Sequence, residues 1–275
     1  MHVTKKRGWC IIKFKMHLNG LEKITEFIKI VLASGYLKNE KPLSLILIAP
    51  ISSGKTTAIN QFQKNPNVTI STDTTAWGIL NKYQNKLKSG ELRHIIIPDL
   101  LSVLARRETS VQTFLLFVNA SCEDGIFPSK TYAIEVNEFI QPFGWILCLT
   151  EDAYKKKSAN LKGMGFESRF LKVSYKYSLE TIQRILKGII EEEKFVIPEI
   201  KITNYKTKKL IKGNSKIFQE LLVFSKLLCN NGDSEILRMQ RKLQTFLKAS
   251  AFLRKDNHVT TKDLDKLKDL IDMIN

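Results

Sequence analysis

The chain is 275 residues long, 43 % apolar and 26 % charged, enough material for a folded core and too apolar for a chain that stays disordered. Its longest apolar run, Leu43 to Ile51, is too short to cross a bilayer and is broken by Ser44 and Pro50. Forty-four basic against twenty-seven acidic residues leave a formal charge of +17, which favours a polyanionic partner, most readily nucleic acid. The competing explanation is compositional: a genome rich in A and T encodes abundant Lys, Ile and Asn without selection for binding. Four scattered cysteines (Cys10, Cys122, Cys148, Cys229) make no CxxC pair, and the N-terminus has no apolar signal core, so a cytoplasmic protein with reduced thiols is expected.

In chain order, the first fifteen residues carry five positive charges and no negative one. Met16 opens a cleaner pattern, so residues 1–16 read as a basic tail outside the fold. Leu18, Leu21, Ile24, Ile28, Val31 and Leu32 follow helical spacing, and Gly35 ends that helix. Short apolar runs follow at Leu43–Ile48, Val68–Ser71, His94–Ile97 and Trp145–Leu149, the pattern of strands buried on both faces of a parallel sheet. Helix-like segments around Thr56–Gln63, Thr75–Leu87 and Ser110–Glu123 separate them, which predicts an α/β sandwich over residues 17–177. Beyond Tyr177 come amphipathic segments at Leu179–Glu193, Ile217–Leu228, Ile236–Leu253 and Thr261–Ile274, predicting a small helical domain over 178–275.

The strongest local signal is Ala49-Pro50-Ile51-Ser52-Ser53-Gly54-Lys55-Thr56, followed by Thr57, between a strand and a helix. That is the context of a phosphate-binding loop, with Ala49 where glycine is usual. Amides from Ser53 to Thr56 would face the phosphates, Lys55 would bridge them, and the Thr56 hydroxyl would complete a Mg²⁺ shell. Ile51, Ser52 and Thr57 complete the nucleotide-binding set. A second apolar strand ends in Asp99, the expected metal-side carboxylate; the alternative is a helix cap. Leu100 follows, where a water-polarising glutamate is usual in several P-loop classes, and neither Glu108 nor Glu123 is supported as its substitute by spacing.

Phe143–Thr150 is a further buried strand with a polar end, and Ser168-Arg169-Phe170 comes after it. Here the chain resembles the AAA+ ATPases, most closely the helicase-like branch that includes the minichromosome-maintenance proteins. The resemblance covers roughly residues 20–275 and implies a P-loop NTPase parallel-sheet sandwich followed by an all-α lid. It further implies that Thr150 is the sensor 1 residue placing the lytic water. Arg169 becomes an arginine finger for the neighbouring subunit, and Arg241 a sensor 2 residue returning to the bound phosphates, with Arg238 as rival. For Arg169 the competing reading is an ordinary ion pair with Glu167 or another nearby acid.

Val259-Thr260-Thr261-Lys262-Asp263-Leu264 resembles the same lid and equally describes a helix capped by Thr260 or Thr261 with Asp263 at its dipole. The function implied is that of an oligomeric, ring-forming ATPase using ATP and Mg²⁺ on nucleic acid, expected to be DNA, directly or through a partner. Full replicative helicases of this branch carry a separate N-terminal nucleic-acid domain, for which this chain has no room. Lys130 and Tyr132 stand where such proteins place a pore hairpin, although an exposed surface loop is the better reading of so short a segment with one lysine. Leu100 favours a different class of protein, an ATP-gated switch or scaffold with little hydrolysis. A small-molecule kinase is the weaker third reading, because a four-helix C-terminal region does not suit it.

Overall fold

The computed structural model describes residues 20–130, 135–191, 197–202, 207–229 and 233–274; the basic tail 1–16 and Tyr132 lie outside them. Helix α1 (Glu22–Ser34) leads into β1 (Leu45–Ile48), and α2 (Lys55–Asn60) follows directly. Next come β2 (Val68–Ile70), α3 (Ala76–Lys88), β3 (His94–Ile97), α4 (Leu101–Leu104) and α5 (Glu108–Glu123). A two-residue hairpin, β4 (Ser129–Lys130) with β5 (Glu135–Val136), precedes β6 (Gly144–Leu149), α6 (Glu151–Gly163) and β7 (Leu171–Ser174). Four helices close the chain: α7 (Leu179–Ile190), α8 (Ser215–Leu228), α9 (Asp233–Leu253) and α10 (Thr261–Leu270).

Strands β2-β3-β6-β1-β7 form one sheet in that order, every pair parallel. Both faces are covered, so β1, β3 and β6 are buried at every position, as the unbroken apolar runs require. Alternate strand residues divide between two cores. Leu45, Leu47, Ile146, Cys148, Leu171 and Val173 face α1, α2 and the C-terminal helices, whereas Ile46, Ile48, Ile95, Ile97, Trp145 and Leu147 face α3 to α6.

The expected division at 177/178 does not separate two cores. Helices α9 and α10 pack in the same cluster as α1 and the sheet, with Phe246 5.1 Å from Phe27 ring to ring, and Ile274 bridges to Val173 of β7. Burial of Phe246 and Leu247 of α9, and of Leu267 and Leu270 of α10, in this shared cluster removes enough apolar surface from water to hold these helices to the rest of the fold. The capped last helix is as expected: Thr260 and Asp263 make a capping box, and the buried Asp263 is held by Arg254 at 2.6 and 3.0 Å. Helix α7 is the exception, burying only Thr181 and Gly188 while Leu179, Leu186, Ile189 and Ile190 face outward.

His94 opens β3 fully buried, with Nε2 3.2 Å from the Leu43 carbonyl and the ring against Gly144, where a Cβ would collide with the imidazole. Burial lowers its pKa from the usual 6.5 to about 3, so the folded state holds it neutral. The unfolded chain takes up that proton first, so stability is present above pH 6.5 and falls as pH drops below it. Denaturant titrations between pH 6.5 and 5 should show a loss approaching ~1.4 kcal/mol per pH unit. His94→Gln should flatten this slope; an unchanged slope would assign the loss elsewhere.

Candidate nucleotide site at the carboxyl edge of the sheet

A parallel sheet brings the carboxyl ends of its strands to one edge, the usual place for a ligand in an open α/β sheet. Here β1 delivers the loop 49–54, β3 delivers Asp99, β6 delivers Thr150 and Glu151, and β7 delivers Tyr175 and Tyr177. Because β6 lies between β1 and β3, Thr150 stands between the loop and the Asp99 strand. Pairing fixes the register, with the Ala49 amide donating to the Leu149 carbonyl at 3.3 Å.

The loop takes backbone conformations that few residues adopt: Ser52 has φ 60° and Gly54 φ 78°. At Gly54 a Cβ would also strike the Tyr177 hydroxyl, so glycine is required there twice over. Ser53 is buried and its hydroxyl donates to the Pro50 carbonyl at 2.7 Å, while Ile51 is 76 % exposed at the tip. Tyr175 donates its hydroxyl to the Ser53 carbonyl at 2.8 Å, bracing the loop from β7.

Lys55 folds its ammonium back onto the loop, donating to the carbonyls of Ala49 at 2.8 Å and Pro50 at 2.6 Å. Desolvation there lowers its pKa, opposed by negative charge at Asp99 and Glu151. The nearby Cys148 thiol is pushed up to about 12 by burial and is neutral at pH 7, so the acidic field reaching Lys55 comes from the two carboxylates. Thr56 is exposed on the first turn of α2 and Thr57 half-buried behind it.

Asp99 is exposed, and its Oδ1 accepts the Leu101 amide at 3.0 Å at the start of the short helix α4, whose N-cap residue is Leu100, while the carboxylate also acts on the Lys55 charge. Leu100 turns the other way. It is 0 % exposed in the core, with its amide on the Cys148 carbonyl at 2.9 Å, so the position after Asp99 does not look onto the site. Thr150 is half-buried, and its hydroxyl accepts the Ala153 amide at 3.3 Å as the cap of α6. Glu151, unremarked in the sequence reading, pairs with Lys176 at 3.3 Å and contributes to the field on Lys55. Tyr175 and Tyr177 were equally missed. Their signal is only that two aromatics follow a short alternating strand.

The two arginines fall elsewhere. Arg169 precedes β7 and Arg241 lies on α9, so both stand at the amino edge, where a cleft of about 400 Å³ is lined by Leu43, Ser44, Arg169, Arg238, Arg241 and Lys242 among others. A strand the length of β1 separates this edge from the loop by roughly 13 Å. Arg241 is therefore corrected as a residue for this subunit's own phosphates, and so is its rival Arg238. Arg169 donates to the Gly165 carbonyl at 2.6 Å and pairs with Glu123 at 3.3 Å, with its buried Nε unpartnered. Glu123 also pairs with Arg238 at 3.6 Å, and Lys242 donates to the Ser168 and Phe170 carbonyls at 2.9 and 2.7 Å. Burial lowers Lys242 to about 8. Glu123 is thus tied to the arginines and is not a substitute for a carboxylate after Asp99.

Lys130 sits on the β4–β5 hairpin, 3.4 Å from Glu135, and is exposed. Among the described residues no helix is long and apolar enough to cross a membrane, and no cluster of three or more His, Cys, Asp or Glu residues could hold a metal ion. The fold and the edge together define an α/β protein with a five-stranded parallel sheet and a strand–loop–helix lysine site. No family model and no curated protein matches the chain.

Proposed function

We propose that this chain is a Mg²⁺-dependent ATP-binding protein of the AAA+ type that acts as an oligomer on nucleic acid. The observation that carries the reading is the convergence of Lys55, Asp99, Thr150 and Glu151 at one sheet edge, around a loop whose lysine has only the loop's own oxygens as hydrogen-bond partners. Phosphate oxygens are the natural replacement for those carbonyls, being charged acceptors within reach of the same ammonium. Thr56 and Asp99 would hold Mg²⁺, and two protein oxygens fit an ion that keeps most of its shell as phosphate and water. The ion supplies charge neutralisation between the phosphates; Lys55 orients them, and the loop amides accept their remaining charge.

Arg169, Arg238 and Arg241 lie too far from this subunit's loop to serve it, so their service falls to a neighbour's phosphates. Glu123 must then release Arg169 when a second subunit docks. Excess positive charge and the Lys130 hairpin support the nucleic-acid part of the reading. A second reading, a switch that binds ATP and hydrolyses it slowly, is favoured by Leu100 being buried away from the site.

Steady-state ATP hydrolysis with and without single-stranded DNA tests the function. Arg169→Ala and Lys55→Ala should each be inactive alone. A one-to-one mixture should recover activity in roughly a quarter of its sites, those joining an intact loop to an intact arginine across a closed ring. A mixture as inactive as its parts, or a monomer at every concentration with ATP present, would refute the inter-subunit arrangement.

A further inference from the structure

The carboxyl end of the edge strand β2 opens a second recess, of about 500 Å³, beside the nucleotide site. Its wall is the first turn of α3, where Trp77 is 49 % exposed. Tryptophan is costly to leave in water, and Trp145, by contrast, is fully buried. Tyr83 lies one and a half turns further along the same helix and lines the same recess, its hydroxyl bonded to Thr69 at 3.0 Å. The Lys82 ammonium sits 5.2 Å from the Tyr83 ring and has no acidic partner among the described residues. Arg106 forms the opposite side, donating to the Thr74 carbonyl at 2.6 Å and pairing with Asp73. Arg107 follows it, exposed.

An exposed indole beside a lysine with no acidic partner among the described residues, in an open recess that the Arg106–Asp73 pair bounds, is suited to one ligand chemistry. A flat aromatic base stacks on the ring while a phosphate meets the ammonium. In a duplex the faces of the bases are already stacked, so only an unpaired base fits. We infer that this recess holds an unpaired base of single-stranded nucleic acid stacked on Trp77, with Lys82 taking a flanking phosphate. The inference rests on the nucleic-acid part of the proposed function and gives it a location.

It also connects the strand to the nucleotide. Ser102 donates to the Thr72 carbonyl at 3.1 Å and to the Asp99 carbonyl at 2.8 Å, so the segment that carries Asp99 is hydrogen-bonded to the rim of the recess. A change at Asp99 on ATP binding therefore has a short path to the base.

Titration of the full chain with a twenty-residue oligothymidylate at low salt, followed by tryptophan emission and by anisotropy of a labelled strand, tests this. Binding should quench the emission. Trp77→Ala should weaken affinity by roughly 5- to 150-fold, the scale of one stacked base. Trp77→Phe should keep most of the affinity and lose the quenching. Lys82→Ala should weaken binding and lower the slope of log affinity against log salt by about one.

Trp77→Ala binding as tightly as the wild type would overturn the inference, as would equal quenching by a duplex of the same length. So would thymidine monophosphate quenching at the same nucleotide concentration, which would mark a site for free nucleotides. Trp77→Phe keeps an aromatic ring in place, so a Trp77→Ala chain that fails to melt cooperatively leaves the test intact: quenching that persists in Trp77→Phe would belong to Trp9 or Trp145 and overturn the inference. Lys55→Ala should still bind the oligonucleotide. A wild type that binds ATP but no strand defeats this inference alone, and one that binds a strand through Trp77 but no ATP defeats the ATP reading alone.

Discussion

Lys55→Ala is expected to weaken binding of Mg²⁺-ATP by about 1.5–3 kcal/mol, the range for a charge-assisted contact in a partly desolvated site. That corresponds to roughly a 12- to 150-fold rise in Kd by calorimetry. The ammonium is already desolvated and held against the loop carbonyls of Ala49 and Pro50, so little ordering remains to be supplied when phosphate arrives. Fold stability should change little, because Lys55 bonds only to the loop and lies outside both hydrophobic cores. A variant that binds ATP as tightly as the wild type would show that the loop is not the nucleotide site.

Leu100→Glu should destabilise the protein rather than accelerate it. From the sequence, a carboxylate after Asp99 looks like a repair of the site, since Leu100 occupies the place of a water-polarising glutamate. In the structure that side chain is fully buried in the core under α3 to α6, and its backbone is pinned to β6 through the Cys148 carbonyl. A carboxylate there has no partner and loses a leucine's packing as well, a cost of at least ~3 kcal/mol. Against a total stability of about 5–15 kcal/mol for a domain, thermal or urea unfolding will show the loss plainly. Leu100→Met, which preserves volume, should be tolerated. Glu151→Gln is the complementary change: it removes the carboxylate that does face the Lys55 side of the site and should slow turnover while leaving the melting temperature near the wild type. A folded Leu100→Glu protein with faster turnover would reverse both assignments.

Local pattern carried the strands and helices with strong periodicity. The apolar runs of β1, β3 and β6 are buried on both faces, which is why each reads as unbroken hydrophobic sequence. The helices α1, α3, α5, α8, α9 and α10 follow from spacing alone, since a helix's apolar stripe is written every three or four residues. The loop carrying Gly54 and Lys55 was legible because it is a contiguous segment between a strand and a helix. Asp99 was legible because it ends a strand. Strand β7 escaped notice because only Leu171 and Val173 of its four residues are fully buried, so its signal is two residues long.

Tertiary structure alone decided the rest. Strand order puts β6 between β1 and β3, and nothing in local periodicity encodes order, so Glu151, Tyr175 and Tyr177 join the site only through the parallel sheet. The direction of Leu100 depends on the turn into α4, which rotates that side chain into the core while Asp99 stays outside. Arg169 and Arg241 fall at the amino edge because each strand ends where its partner ends, a consequence of parallel register rather than of the residues beside them. Helices α9 and α10 share one core with α1 because Phe246, Leu247 and Leu267 take their apolar surface out of water in the same cluster. Sequence by itself determined which segments form elements and where the lysine of the strand–loop–helix turn stands. The fold determined which of the remaining charged and aromatic side chains face it, since contacts between distant segments are set by the pairing of strands and the closing of two shared cores.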